Sequence, residues 1–115
     1  MGASTGADAI MGEEGVFELT GLLSELDKEG GYFIEFLKIR DLEAGVLRLH
    51  FGEKDTQELH SADELYYVIE GSGFIELGKT SRPVKKGSII FVPAKMHHRF
   101  YGNKDDLVVL YMFAE

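Results

Sequence analysis

Apolar positions along the chain change period near residue 32. Before it, Leu19, Leu22, Leu23 and Leu26 recur at i, i+3, i+4 and i+7, which is one stripe on a short helix spanning residues 17–29. Thr20 suits its N-cap and Gly30-Gly31 its stop, and the stripe predicts a helix packed on the flank of a domain. After it, short runs rich in Val, Ile, Phe and Tyr alternate with glycines. These predict strands over 33–40, 45–51, 65–70, 74–77, 88–92, 97–101 and 107–113, with turns at 52–55, 71–73, 78–80 and 102–106. Leu47, Leu49 and Phe51 alternate cleanly, which sets Arg48 and His50 on the opposite face of their strand. The run 107–113 is apolar on both faces, as a strand covered on both sides would be. Many short strands with little helix predict an all-β closed barrel or double-sheet jelly roll with a short N-terminal helix.

The chain has 115 residues, enough for one core and one domain, expected over 15–115 behind a loose Gly/Ala-rich arm at 1–14. Twenty Asp and Glu against twelve Lys and Arg leave a net charge of −8, which repels phosphate backbones and anionic lipid and argues against nucleic-acid and membrane partners. With no cysteine, disulfides, thiolate-held metal and thiol nucleophiles are excluded. No apolar run approaches the roughly 18 residues of a spanning helix. The first residues lack the basic start and apolar stretch of a secretory signal, and Gly6 stands where myristoylation wants Ser or Thr, so the cytoplasm is the expected compartment.

Against this background the polar residues of the β-region form a pattern. Glu58, His60, Glu64, Tyr66 and Val68 share one parity, so an extended segment presents carboxylate, imidazole, carboxylate and then an apolar wall on one side. His97-His98 follows the run ending at Pro93, and alternation lets only one of the two face the same interior. Two imidazoles with one or two carboxylates are the donor set of a divalent first-row metal. Tyr66 and Phe100 share parity with these residues and are candidate pocket walls, while Arg48 and His50 are further pocket candidates from their non-core face.

Gly52, Glu58, His60, Glu64 and Gly71 are spaced as in the first motif of the cupin family, with Glu58 where that motif has its first histidine. Gly87, Pro93 and His98 resemble the second motif; Lys95 replaces a glycine and Gly102 an asparagine, with Asn103 one step late. The resemblance covers residues 52–103. It implies a small single-domain cupin, a double-stranded β-helix (jelly-roll barrel) with one metal in its wider mouth held by His60, Glu64 and His98, with Glu58 in the first-histidine place. Two carboxylates would cancel the charge of a divalent ion and favour manganese or iron over copper. Two other arrangements fit the same residues: Gln57 reaching in through a bulge in place of Glu58, or a two-histidine, one-carboxylate set with three open positions. A one-residue slip would exchange His97 for His98. The resemblance implies a metal-dependent enzyme on a small organic molecule, dioxygenase- or isomerase-like, using iron, manganese, nickel or zinc, and a homodimer. Its rival is a non-catalytic module that binds or senses a small ligand.

Overall fold

The computed structural model describes residues 14–57 and 61–114. Within them lie one helix, α1 (Leu19–Glu29), and eight strands: β1 (Phe33–Ile39), β2 (Leu42–Leu49), β3 (Asp63–Glu70), β4 (Ser72–Leu77), β5 (Thr80–Lys85), β6 (Ile89–Val92), β7 (His98–Tyr101) and β8 (Leu107–Ala114). They form two antiparallel sheets, ordered β1-β2-β8-β3-β6 and β5-β4-β7. The main core lies between the sheets and joins Leu47, Leu49, Tyr66, Val68 and Val109 of the larger to Ile75, Val84 and Phe100 of the smaller. This two-sheet jelly roll is the expected all-β class. Of the arm expected over 1–14, only Glu14 falls among the described residues.

The helix starts earlier than Thr20. Glu18 is its N-cap residue, with extended backbone and no side-chain cap, and the Glu18 carbonyl accepts the Leu22 N–H. The reason lies in packing: Leu19, Leu22 and Leu23 all gather around buried Leu26, so Leu19 must belong to the helix. At the other end Gly30 donates to the Leu26 carbonyl at 2.9 Å with φ 82. The stripe covers Ile34, Val46 and Val108 on the outer face of β1, β2 and β8, which explains why β8 is apolar on both faces.

Two further expectations change. Strand β2 ends at Leu49, and Phe51 sits in the following turn, 73 % exposed, because Glu53 turns the chain back by donating its N–H to the His50 carbonyl and accepting the His50 N–H on its carboxylate. Strand β5 was not expected at all. Its sequence is polar apart from Pro83 and Val84, and it lies at an edge of the smaller sheet, where a proline breaks no ladder.

Bulges in β1 between Glu35 and Leu37 and in β3 between Val68 and Glu70 shift the register. Between them, two rows of residues run across the inner face of the larger sheet. One row is Glu35, Gly45, Tyr111 and Tyr66; the next is Glu43, Phe113, Glu64 and Val92. On the outer face of β3 and β6, Leu65, Tyr67, Ile89 and Phe91 are all exposed. No helix among the described residues is long and apolar enough to cross a membrane.

Candidate metal centre

Strand β3 alternates strictly. Glu64, Tyr66 and Val68 point inward while Asp63, Leu65 and Tyr67 point out. On β7 the same period sends His98 and Phe100 inward and Arg99 outward. His98 comes from the smaller sheet and Glu64 from the larger, so their side chains meet between the two, with Nε2 3.2 Å from Oε1 and both groups buried. The Met96 carbonyl lies 2.9 Å from His98 Nδ1. A carbonyl only accepts, so Nδ1 carries the proton and, in the neutral ring, Nε2 turns its lone pair to Glu64. Burial lowers the basicity of His98, but the Glu64 carboxylate, the Met96 carbonyl and Asp55 together raise its pKa above the ordinary value.

The loop that presents Met96 explains a departure in the second motif. Lys95 has φ 66, the left-handed conformation for which a glycine is suited. Asn103 is 4 % exposed and donates to the carbonyls of Leu49, His50 and Asp105, tying the end of β2 to the turn before β8.

Glu58 and His60 lie outside the described residues. After these two residues the chain bends at Ser61 and Ala62 before β3 begins. Their assignment as ligands therefore rests on the motif spacing and not on strand parity.

Before the bend, Asp55 is 6 % exposed and completely engaged. Its Oδ2 accepts the Phe100 N–H at 2.8 Å and the Gln57 Nε2 at 2.9 Å, and its Oδ1 accepts the Gln57 N–H and the Tyr32 hydroxyl. Gln57 in turn accepts the Tyr66 hydroxyl on Oε1 at 3.0 Å. Gln57 is thus held between Asp55 and Tyr66. Asp55 was missed because a single aspartate in an acidic loop gives no periodic signal; its one clue is the shared parity with Gln57.

Tyr66 and Phe100 are wholly buried, edge to face at 4.9 Å, and they form the core beneath the site rather than an open wall. Burial first, then Glu64 and Asp55, push the Tyr66 phenol far above its ordinary pKa, so it acts as a neutral donor. Arg48 and His50 are corrected. Leu47 and Leu49 take the interior, so Arg48 points out to pair with Asp27 of α1 at 2.6 Å, and His50 pairs with Asp106 at 2.7 Å. His97 is also outward, 3.2 Å from Glu76. The cavity nearest the centre has a volume of about 440 Å³ and is lined by residues of β1, β2 and β8 together with Tyr32, Thr56 and Gln57. It adjoins the centre through Gln57 and through Phe113, the register neighbour of Glu64.

The family model described as a cupin domain matches residues 45–114, which contain both motifs, six whole strands and most of β2. The chain belongs to the cupin family. This cupin is 35 % identical over 98 residues to the uncharacterized protein SCO3923 of Streptomyces coelicolor, covering 85 % of the chain and 93 % of that protein. It is also 39 % identical over 49 residues to an acireductone dioxygenase of Heterostelium pallidum, covering 38 % of the chain and 34 % of the enzyme. The cupin therefore spans about a third of that enzyme's length. Among solved structures, TT1209 of Thermus thermophilus superposes with a TM-score of 0.73 at 20 % identity, over 86 % of this chain and 95 % of that one. A cupin 2 conserved barrel domain protein of Rhodopseudomonas palustris gives 0.64 at 22 % identity, over 71 % and 59 %.

Proposed function

We propose that this cupin is a metal-dependent enzyme acting on a small organic molecule, with one divalent iron, manganese, nickel or zinc ion held by His60, Glu64 and His98 and by Glu58 or Gln57. The observation that carries the reading is the buried Glu64–His98 pair, in which a backbone carbonyl fixes the ring so that Nε2 faces a carboxylate. An imidazole nitrogen and a carboxylate brought together from the two sheets form part of the donor set of a divalent cation; among the described residues no third histidine or acid joins them. The partial likeness to an acireductone dioxygenase supports dioxygenase-type chemistry. When bound, the ion supplies Lewis acidity at an oxygen of the substrate. The chain's own part is to hold His98 in one tautomer through Met96 and to brace Gln57 between Asp55 and Tyr66. The cavity beside the centre admits the substrate. The net charge of −8 and the absence of cysteine fit a cytoplasmic protein, and the exposed apolar face of β3 and β6 fits a homodimer.

The test is elemental analysis of protein purified without chelator. About one first-row metal per chain is expected, lost in His98→Ala and His60→Ala and retained in His97→Ala. Equal loss in all three would overturn the assignment. Metal-free protein even after reconstitution would leave a small-ligand binding module as the surviving reading.

A further inference from the structure

The cavity beside the centre has a polar end that the metal site does not use. Glu35 and Glu43 stand on neighbouring strands at that end, with Tyr32, Phe33, Tyr111 and Phe113 around the rest. Gly45 lies in register between Glu35 and Tyr111, and a Cβ there would collide with the Tyr111 hydroxyl. The absent side chain lets the Tyr111 ring lie across β2 and sends its hydroxyl towards Glu35. Tyr111 is only 7 % exposed, yet its hydroxyl has no hydrogen-bond partner among the described residues. Lys38 is opposite Glu43 in register, but it is exposed and forms no ion pair with either carboxylate. Two carboxylates and the Tyr111 hydroxyl thus face one space, where protonated Glu35 can hydrogen-bond Glu43 and Lys38 acts on Glu35 through its charge alone.

We infer that this end of the cavity binds the primary ammonium group of a small organic amine, donated to Glu35, Glu43 and the Tyr111 oxygen, with the amine's carbon frame against Phe33 and Phe113. An ammonium has three donors and a positive charge, which matches three acceptors of this kind, and aromatic faces add attraction for a cation. Burial first, then the hydrogen bond and charge of neighbouring Glu43, raise the Glu35 carboxyl to about 7 although the Lys38 charge lowers it, so the pair resists carrying two negative charges. Tyr111 is raised as well, by burial first and then by Glu35 and Glu43. Because Glu43, Phe113 and Glu64 follow one another along a single row, an amine held here points its remainder at the proposed metal centre. The inference deepens the proposed function by naming the substrate's charge, and it rests on that reading for the position of the reacting end.

Calorimetric titration of the full chain, above the pH at which Glu35 deprotonates, compares benzylamine with benzyl alcohol, its uncharged analogue. Benzylamine is expected to bind about tenfold more tightly or better, as charge-assisted hydrogen bonds require. Glu35→Gln and Glu43→Gln should each remove about that factor and Tyr111→Phe a smaller part of it, while Glu70→Gln on the exterior changes nothing. Thermal melts check folding, and Glu35→Gln relieves like-charge repulsion, so it melts no lower than the parent. Equal affinity for amine and alcohol, or full amine affinity in Glu35→Gln, would overturn the inference. So would loss of bound metal in Glu35→Gln, which would make the pair part of a cation site. Elemental analysis of the same samples separates the two readings. Metal lost with His98→Ala but no preference for amine defeats only the inference; amine preference in protein that never holds metal defeats only the proposed function.

Discussion

Lys95 is held at φ 66, where its Cβ crowds its own backbone, and it does so in the loop that aims the Met96 carbonyl at His98. The conformation belongs to the loop and not to the lysine. Lys95→Gly should therefore keep metal content and raise stability by up to about 1 kcal/mol, measured by urea unfolding. A loss of stability would show that the lysine side chain anchors the loop. Glu35 offers a residue-scale prediction with a pH sign. Its folded carboxyl is raised from 4.5 to about 7, so between those values the folded state holds more proton than the unfolded one. The Glu35 contribution is therefore most favourable below about 4.5 and is lost as pH rises through 7. Solvent screening at this partly open site limits the loss to about 1 kcal/mol. Melting temperature followed against pH should fall across that window in the parent and stay flatter in Glu35→Gln.

At the scale of elements, Asp55 joins the loop that opens the first motif to β7 by accepting the Phe100 N–H, while Gln57 joins the same loop to Tyr66. Asp55→Asn puts an amide NH2 in place of one accepting oxygen, so it must turn a donor toward the Phe100 N–H or give up the bonds from Gln57 and Tyr32. A cost of about 2–4 kcal/mol is expected in urea unfolding, together with weaker metal retention, because a buried donor left facing a donor forfeits its full desolvation energy. Such ties are invisible to a period-based reading, whereas β3 was legible because one buried face forces Glu64, Tyr66 and Val68 onto a single parity. His98 was legible for the same reason. Strand β5 was not, since Ser81, Arg82 and Pro83 carry no strand signal and its place comes from pairing with β4. The cavity was hidden too. Tyr111 lies far from Glu35 and Glu43 in sequence, and only the pairing of β1, β2 and β8 brings the three to one face.

For the molecule as a whole, the larger sheet has two outer regions that fare differently. Helix α1 covers the outer face of β1, β2 and β8, burying Val46 and Val108 around Leu26. No element among the described residues covers β3 and β6, where Ile89 is 69 % and Phe91 58 % exposed beside Leu65 and Tyr67. The four side chains pair across the register, Leu65 with Phe91 and Tyr67 with Ile89, so they form one continuous apolar patch. A second copy related by a two-fold axis would bury this patch against itself, which is how an isologous dimer uses a single surface. Sedimentation of the parent should then give a dimer, and Phe91→Lys a monomer, because a charge at the centre of a self-facing patch meets its own copy. Metal content should be unchanged in the variant, since Phe91 points away from Glu64 and His98. A monomeric parent would overturn the homodimer, whereas a dimeric Phe91→Lys would move the interface to another face.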